Sequence, residues 1–141
     1  METHNNKTIT VEAIVNAPIT KVWELWNSPK HIQNWCFASD DWHAPYSEND
    51  LRIGGKQKTT MAAKDGSFSF DFEGIYTNVE EPKLIEYTIA DGRNVKVVFS
   101  EENGNTKVIE TFEMENTHPE EMQRGGWQAI LDNFKKYTET H

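Results

Sequence analysis

Cysteine is almost absent from this 141-residue chain: Cys36 stands alone. No disulfide can form within the chain, and a lone thiol fits a reducing compartment. Long apolar runs are missing as well. Nothing approaches the roughly 20 consecutive apolar residues of a membrane-spanning helix. Met1 to Lys7 is polar where a signal peptide would carry an apolar stretch, so a cytoplasmic protein is expected. Clustered positive charge is lacking too. The 14 Lys and Arg are scattered among 23 Asp and Glu, for a net charge of −9. Nucleic acid and anionic membrane surfaces both need basic clusters, so neither is an expected partner, and the charge speaks to solubility. The five histidines, His4, His31, His43, His118 and His141, show no metal-ligand spacing. There is no Gly-x-Ser-x-Gly elbow, P-loop or dinucleotide fingerprint. No metal and no cofactor are expected, and a binding domain is expected ahead of an enzyme.

What is present is a sequence of regular alternations. The length fits one domain, residues 1–141. Ile9, Val11, Ala13 and Val15 alternate with polar residues as in a half-buried strand. After Ala17-Pro18, Ile19, Val22, Trp23 and Trp26 fall on one face of a helix. Ser28 and Pro29 open a second short helix. Residues 36–49 read as a loop holding a short strand near Trp42. One strand is expected from Leu51 to Ala63 with Gly54-Gly55 as a bulge. Asp65-Gly66, Glu81-Pro82, Asp91-Gly92 and Asn103-Gly104 then punctuate a series of strands, which short turns join into an antiparallel meander. The last element is a helix. Thr117 or His118 can cap it, Pro119 begins it, and Trp127, Ile130, Phe134 and Tyr137 form its apolar stripe.

A twisted meander with one apolar face must bury it, and only the last helix is long enough to cover it. The fold class expected is therefore α+β, a curved antiparallel sheet wrapped around a long C-terminal helix. A strongly curved sheet cannot touch one helix along its whole length. The gap between them is either a ligand cavity, commonly ~300–1,000 Å³, or a space filled by side chains to crystal-like density. Phe68, Phe70, Phe72, Tyr87, Phe99, Phe112 and Trp127 are the aromatic candidates for its lining. Gly126, Ile130 and Phe134 add the helix stripe, and Tyr76, Arg52 and Glu110 are the polar candidates.

Three of these positions carry alternatives. Arg52 can hold an anionic group at the cavity mouth or make a structural ion pair. Glu110 shares parity with Val108 and Phe112. If that face points inward, its carboxyl sits in apolar surroundings with a raised pKa, the setting of a general acid or base. If Ile109 points inward instead, Glu110 is solvated. Gly125-Gly126 costs about 1 kcal/mol per glycine inside a helix, so the pair either packs closely on a strand or gives space for a ligand or a kink at the pocket entrance. Cys36 reads as inert, since no histidine stands at a useful spacing.

The segment APITKVWELWNSPKHIQNW, the DLRIGG run from Asp50 to Gly55, the Asp65-Gly66 turn and the terminal GGWQAILDNFKKY resemble the activator of Hsp90 ATPase homologue 1-like family. That family belongs to the SRPBCC, or START/Bet v 1-like, superfamily, whose fold is called helix-grip. The resemblance spans about residues 8–138. It implies a deep apolar cavity for a lipid-like or polycyclic ligand, with a monomeric protein expected. Some superfamily members are cyclases or hydrolases, and the family name adds an Hsp90-type chaperone as an expected partner. The eukaryotic co-chaperone carries a second, N-terminal domain for which this chain has no room.

Overall fold

The computed structural model describes residues 7–141, so the reading of the polar N-terminus falls outside the described residues except at Lys7. The order is β1 (Thr8–Val15), α1 (Ile19–Asn27), α2 (Pro29–Ile32), β2 (Trp42–Asn49), β3 (Lys56–Ala63), β4 (Ser69–Glu80), β5 (Leu84–Ile89), β6 (Asn94–Glu102), β7 (Asn105–Glu113) and α3 (Glu120–Glu139). The strands form one seven-stranded sheet in the order β1-β7-β6-β5-β4-β3-β2. Every pairing is antiparallel. This is the expected α+β helix-grip architecture: a curled meander from β2 to β7, β1 added beyond β7, and α3 held in its hollow.

The alternation read from the sequence sets the inner face. Val95, Val97 and Phe99 of β6, Val108 and Phe112 of β7, and Ile9, Val11 and Val15 of β1 are all nearly fully buried. The helix is bound along the β1 edge. Lys135 Nζ donates to the Ile14 carbonyl at 2.8 Å and Gln128 Nε2 to that of Glu12 at 3.2 Å. It therefore runs along β1, with Trp127 reaching Phe112 of β7.

The structure corrects three local expectations. The strand expected from Leu51 begins only at Lys56. Residues 50–55 form a tight turn between β2 and β3, closed by the Gly55 amide donating to the Arg52 carbonyl at 2.8 Å. That turn is tied to β4, because the Gly54 amide donates to the Tyr76 carbonyl (2.9 Å) and the Tyr76 amide to the Gly55 carbonyl (3.0 Å). A Cβ on Gly55 would lie 2.0 Å from the Asp50 carbonyl oxygen, so only glycine fits there. Second, the short strand near Trp42 is eight residues long and forms the sheet edge. Pro45 is tolerated because it falls in the irregularity between His43 and Tyr46. Third, the side chains of Ser28, Thr117 and His118 cap nothing. Glu115 and Gln123 organise the entry to α3 instead: the Glu115 carboxylate accepts the Thr117 and His118 amides, and Gln123 Nε2 donates to the His118 carbonyl.

Candidate functional site

The hollow between sheet and helix has two halves. In one, α1 and the segment after α2 deliver three indoles. Trp23 and Trp26 meet Phe99 edge-on at 5.4 and 5.6 Å, and Trp26 and Trp35 each meet Phe134 at 4.8 Å. Trp35 Nε1 donates to the Leu25 carbonyl at 3.0 Å, so the indole is locked. This half is solid.

The other half is a cavity of about 710 Å³. Its apolar wall comes from Met61 of β3, Phe70 and Phe72 of β4, Ile130 and Trp127 of α3, and the inner edges of Trp26 and Trp35. Trp127 stacks flat on Phe112, centroids 3.9 Å apart and planes 11° apart, and meets Phe72 edge-on at 5.9 Å. Gly74 faces the same way as Phe72 and Tyr76. A Cβ there would come within 2.9 Å of the Tyr87 ring, so its missing side chain is what seats that ring.

Two polar groups interrupt the apolar wall. At one corner the Tyr76 hydroxyl donates to Asn49 Oδ1 at 2.5 Å, and Asn49 Nδ2 donates to the Asn27 carbonyl at 2.8 Å. Asn49 is the register partner of Gln57, whose buried Nε2 has no hydrogen-bond partner among the described residues. Burial pushes the Tyr76 phenol well above its ordinary range. The second group is Glu110, Tyr87 and Cys36. Glu110 is 6% exposed. Its neighbours in register are Val11 on β1 and Val97 on β6. Desolvation by burial raises its carboxyl from 4.5 to about 8. Burial, with Glu110 adding to it, raises the Cys36 thiol to about 12 and the Tyr87 phenol well above its usual value. At neutral pH all three therefore carry their protons. A thiol of that kind is no nucleophile, and His31 bonds the Tyr137 hydroxyl at 2.7 Å instead of approaching Cys36.

Eight of the thirteen sequence candidates face this cavity: Phe70, Phe72, Tyr76, Tyr87, Glu110, Gly126, Trp127 and Ile130. Five do not. Phe68 precedes β4, where the turn breaks the alternation, and lies 59% exposed against Trp42 on the outer rim. Phe99 and Phe134 are consumed by the indole cluster. Phe112 is covered by Trp127. Arg52 sits on the exposed turn, its Nε bonded to both Asp50 carboxylate oxygens at 2.9 Å, so it serves as a surface ion pair and not at the mouth.

Of the two roles weighed for the glycine pair, close packing is overturned. A Cβ at Gly125 or Gly126 would meet nothing within 4 Å. Sequence reasoning missed Asn27, Asn49, Gln57, Met61 and Arg93 on the cavity wall. The period-2 run Gln57, Thr59, Met61 was the available signal for β3. Asn49 had none, because it belongs to a strand whose length the sequence did not suggest.

Known proteins place this geometry. The family model described as "Activator of Hsp90 ATPase homolog 1-like protein" matches residues 16–139. The AHSA1-like protein from Aeromonas hydrophila, solved in solution, is 47% identical, with 95% of this chain and 93% of that one covered and a TM-score of 0.90. A solution structure from Cytophaga hutchinsonii is 56% identical over 94% of this chain and 92% of that one, with a TM-score of 0.82. A crystal structure of a Nitrosomonas europaea protein shares the fold at 15% identity, 98% and 97% coverage and a TM-score of 0.84. No curated protein matches. Among the described residues no helix is long and apolar enough to cross a membrane. A helix-grip sheet, a half-open hollow and a matched span from residue 16 to residue 139 lead to one conclusion: the chain belongs to the activator of Hsp90 ATPase homologue 1-like family of the SRPBCC superfamily.

Proposed function

We propose that the chain binds a small, largely hydrophobic, ring-bearing or lipid-like molecule in the hollow beside α3. The observation that carries this reading is the cavity of about 710 Å³ with an aromatic wall and a few convergent polar groups, the usual composition of a small-molecule site. Apolar burial would supply most of the affinity, at about 25 cal/mol per Å². Gln57 Nε2 supports the reading further, because a buried donor without a partner is costly until something accepts from it.

The test is an NMR titration of the protein with flavonoids, sterols and fatty acids. Saturable shifts of the Trp127 indole N–H and of Phe72 are the expected result. A panel that moves neither overturns the proposal. The family description supports a second reading, stimulation of an Hsp90-type chaperone ATPase. It predicts a higher ATPase rate when this protein is added to the chaperone, and an unchanged rate at saturation removes it.

A further inference from the structure

Glu110 is the one carboxyl that lines the cavity among the described residues. Apolar burial leaves it unexplained, as it does the unpartnered Gln57 Nε2 on the same wall. Glu110 lies at the centre of β7, 6% exposed, between Val11 and Val97, and makes no side-chain hydrogen bond among the described residues. Arg93 and His118 are the basic side chains that line the same cavity, and both are engaged elsewhere. Arg93 Nε holds Asp91 at 2.9 Å and its Nη1 the Glu113 carbonyl at 3.2 Å. His118 Nδ1 is 2.6 Å from Glu115. The titratable groups facing Glu110 are Tyr87 from β5 and Cys36 from the segment after α2, both protonated. The neighbouring strands present valines, and α3 brings Trp127 and Ile130 to the cavity. A buried carboxyl in such company lacks a positive partner.

We propose that Glu110 is the anchor for a basic nitrogen, so that the ligand class of this cavity is an aromatic or polycyclic amine. The inference rests on the ligand-binding reading above and names its chemistry. Three further observations favour it. The carboxyl is already held out of water in the free protein, so pairing costs the loss of its proton and the amine's own desolvation, with no further water to strip from the carboxyl. Trp127, Phe72 and Tyr87 line the same space, and a cation over an aromatic ring is attracted to it. The chain's net charge of −9 draws cations and repels carboxylate ligands. The proton balance is simple. An amine arrives from neutral solution as its ammonium ion. Glu110 holds a proton in the free protein. The pair keeps one proton between nitrogen and carboxyl, and the other passes to solvent. Binding an uncharged isostere moves no proton.

The experiment compares naphthylethylamine with naphthylethanol by titration calorimetry at about pH 6.5 in buffers of different ionisation enthalpy. The expected result is release of close to one proton with the amine and none with the alcohol, with the amine bound about tenfold more tightly. E110Q is expected to lose the amine's preference over the alcohol together with the proton release. Circular dichroism shows whether the variant is folded, and the proton count on the unaltered protein needs no variant. If both probes bind equally with no proton released, the amine inference is overturned while the cavity reading survives. If neither probe binds and the NMR panel is also silent, the cavity reading itself falls.

Discussion

The two halves of the hollow share one sheet and one helix and are equally rich in aromatics, yet one is solid and the other open. The difference lies in what reaches them from outside the sheet. Trp23 and Trp26 on α1, with Trp35 beyond α2, wedge between Phe99 and Phe134 and close that half. Nothing comparable enters beside β3 and β4. There the strands offer Gln57, Thr59 and Met61, and the helix offers Gly126, a position with no side chain. Sheet curvature makes the hollow, and the placement of three tryptophans decides which part of it remains space. The solid half should therefore behave as a core, and the open half as a frame around something absent.

The largest effect that tests this contrast is truncation in the solid half. Phe99→Ala and Phe134→Ala, at 1% and 0% exposure, should each lower unfolding free energy by about 3–5 kcal/mol in urea. Phe72→Ala should cost only about 1 kcal/mol, since its ring already lines open space. Equal losses at Phe72 and Phe99 would mean that the open half is packed after all.

The next effect is electrostatic and belongs to the open half alone. Glu110 holds its proton in the folded state up to about pH 8, whereas the unfolded chain releases it near 4.5. Between those values the unfolded state binds fewer protons, so stability falls as pH rises. The contribution is full below 4.5 and lost above about 8. The slope is about 1.4 kcal/mol per pH unit, a few kcal/mol across the window as an order of magnitude. Glu115, Glu120 and Glu139 act oppositely. Hydrogen bonds from His118, Lys7 and Lys135 respectively lower them, so their contribution disappears as pH falls below the ordinary carboxylate range. The two windows do not overlap. Urea unfolding of wild type at about pH 5 and pH 7 should show the loss, and Glu110→Gln should flatten it. A slope unchanged in the variant would assign it to another group.

How much of this was legible follows the same division. The solid half announced itself: Val22, Trp23 and Trp26 at helical spacing and Val95, Val97 and Phe99 at strand spacing leave little choice about which faces meet. The register of β7 was the one ambiguity there, and the strand resolved it by turning Glu110 inward with Val108 and Phe112. The open half was less readable, because empty space leaves no periodic mark. Its polar corner depends on Asn49 meeting Gln57 across two strands, a pairing set by the turn at residues 50–55. Phe112 and Phe134 looked like lining because parity specifies a face but not which neighbour covers it.

That turn supplies a smaller test. It ties β2 and β3 to Tyr76, so it frames the open half without filling it. Gly55→Ala forces a Cβ against the Asp50 carbonyl, and the backbone must shift. A loss of about 1–3 kcal/mol is expected, with the Tyr76 and Asn49 resonances moving and those of Phe99 and Phe134 unchanged. Disturbance of the indole cluster by this change would show that the halves are coupled.

The smallest effect has the opposite sign and separates the halves most directly. Gly126 lies inside α3 with nothing within 4 Å of where a Cβ would point. Alanine there meets no clash and recovers helix propensity, so Gly126→Ala should raise stability by about 1 kcal/mol. Such a gain is rare for a buried substitution in a solid core, where added atoms overpack. Gly125 is exposed and equally free, so Gly125→Ala should gain a similar amount without touching the cavity. The pair of variants then divides helix propensity from cavity space. Both should stabilise the free protein, but only Gly126→Ala places a methyl against a bound molecule and should weaken it. If both glycines stabilise alike and neither alters binding, the ligand does not reach the helix, and the gap at Gly126 is an entrance rather than part of the seat.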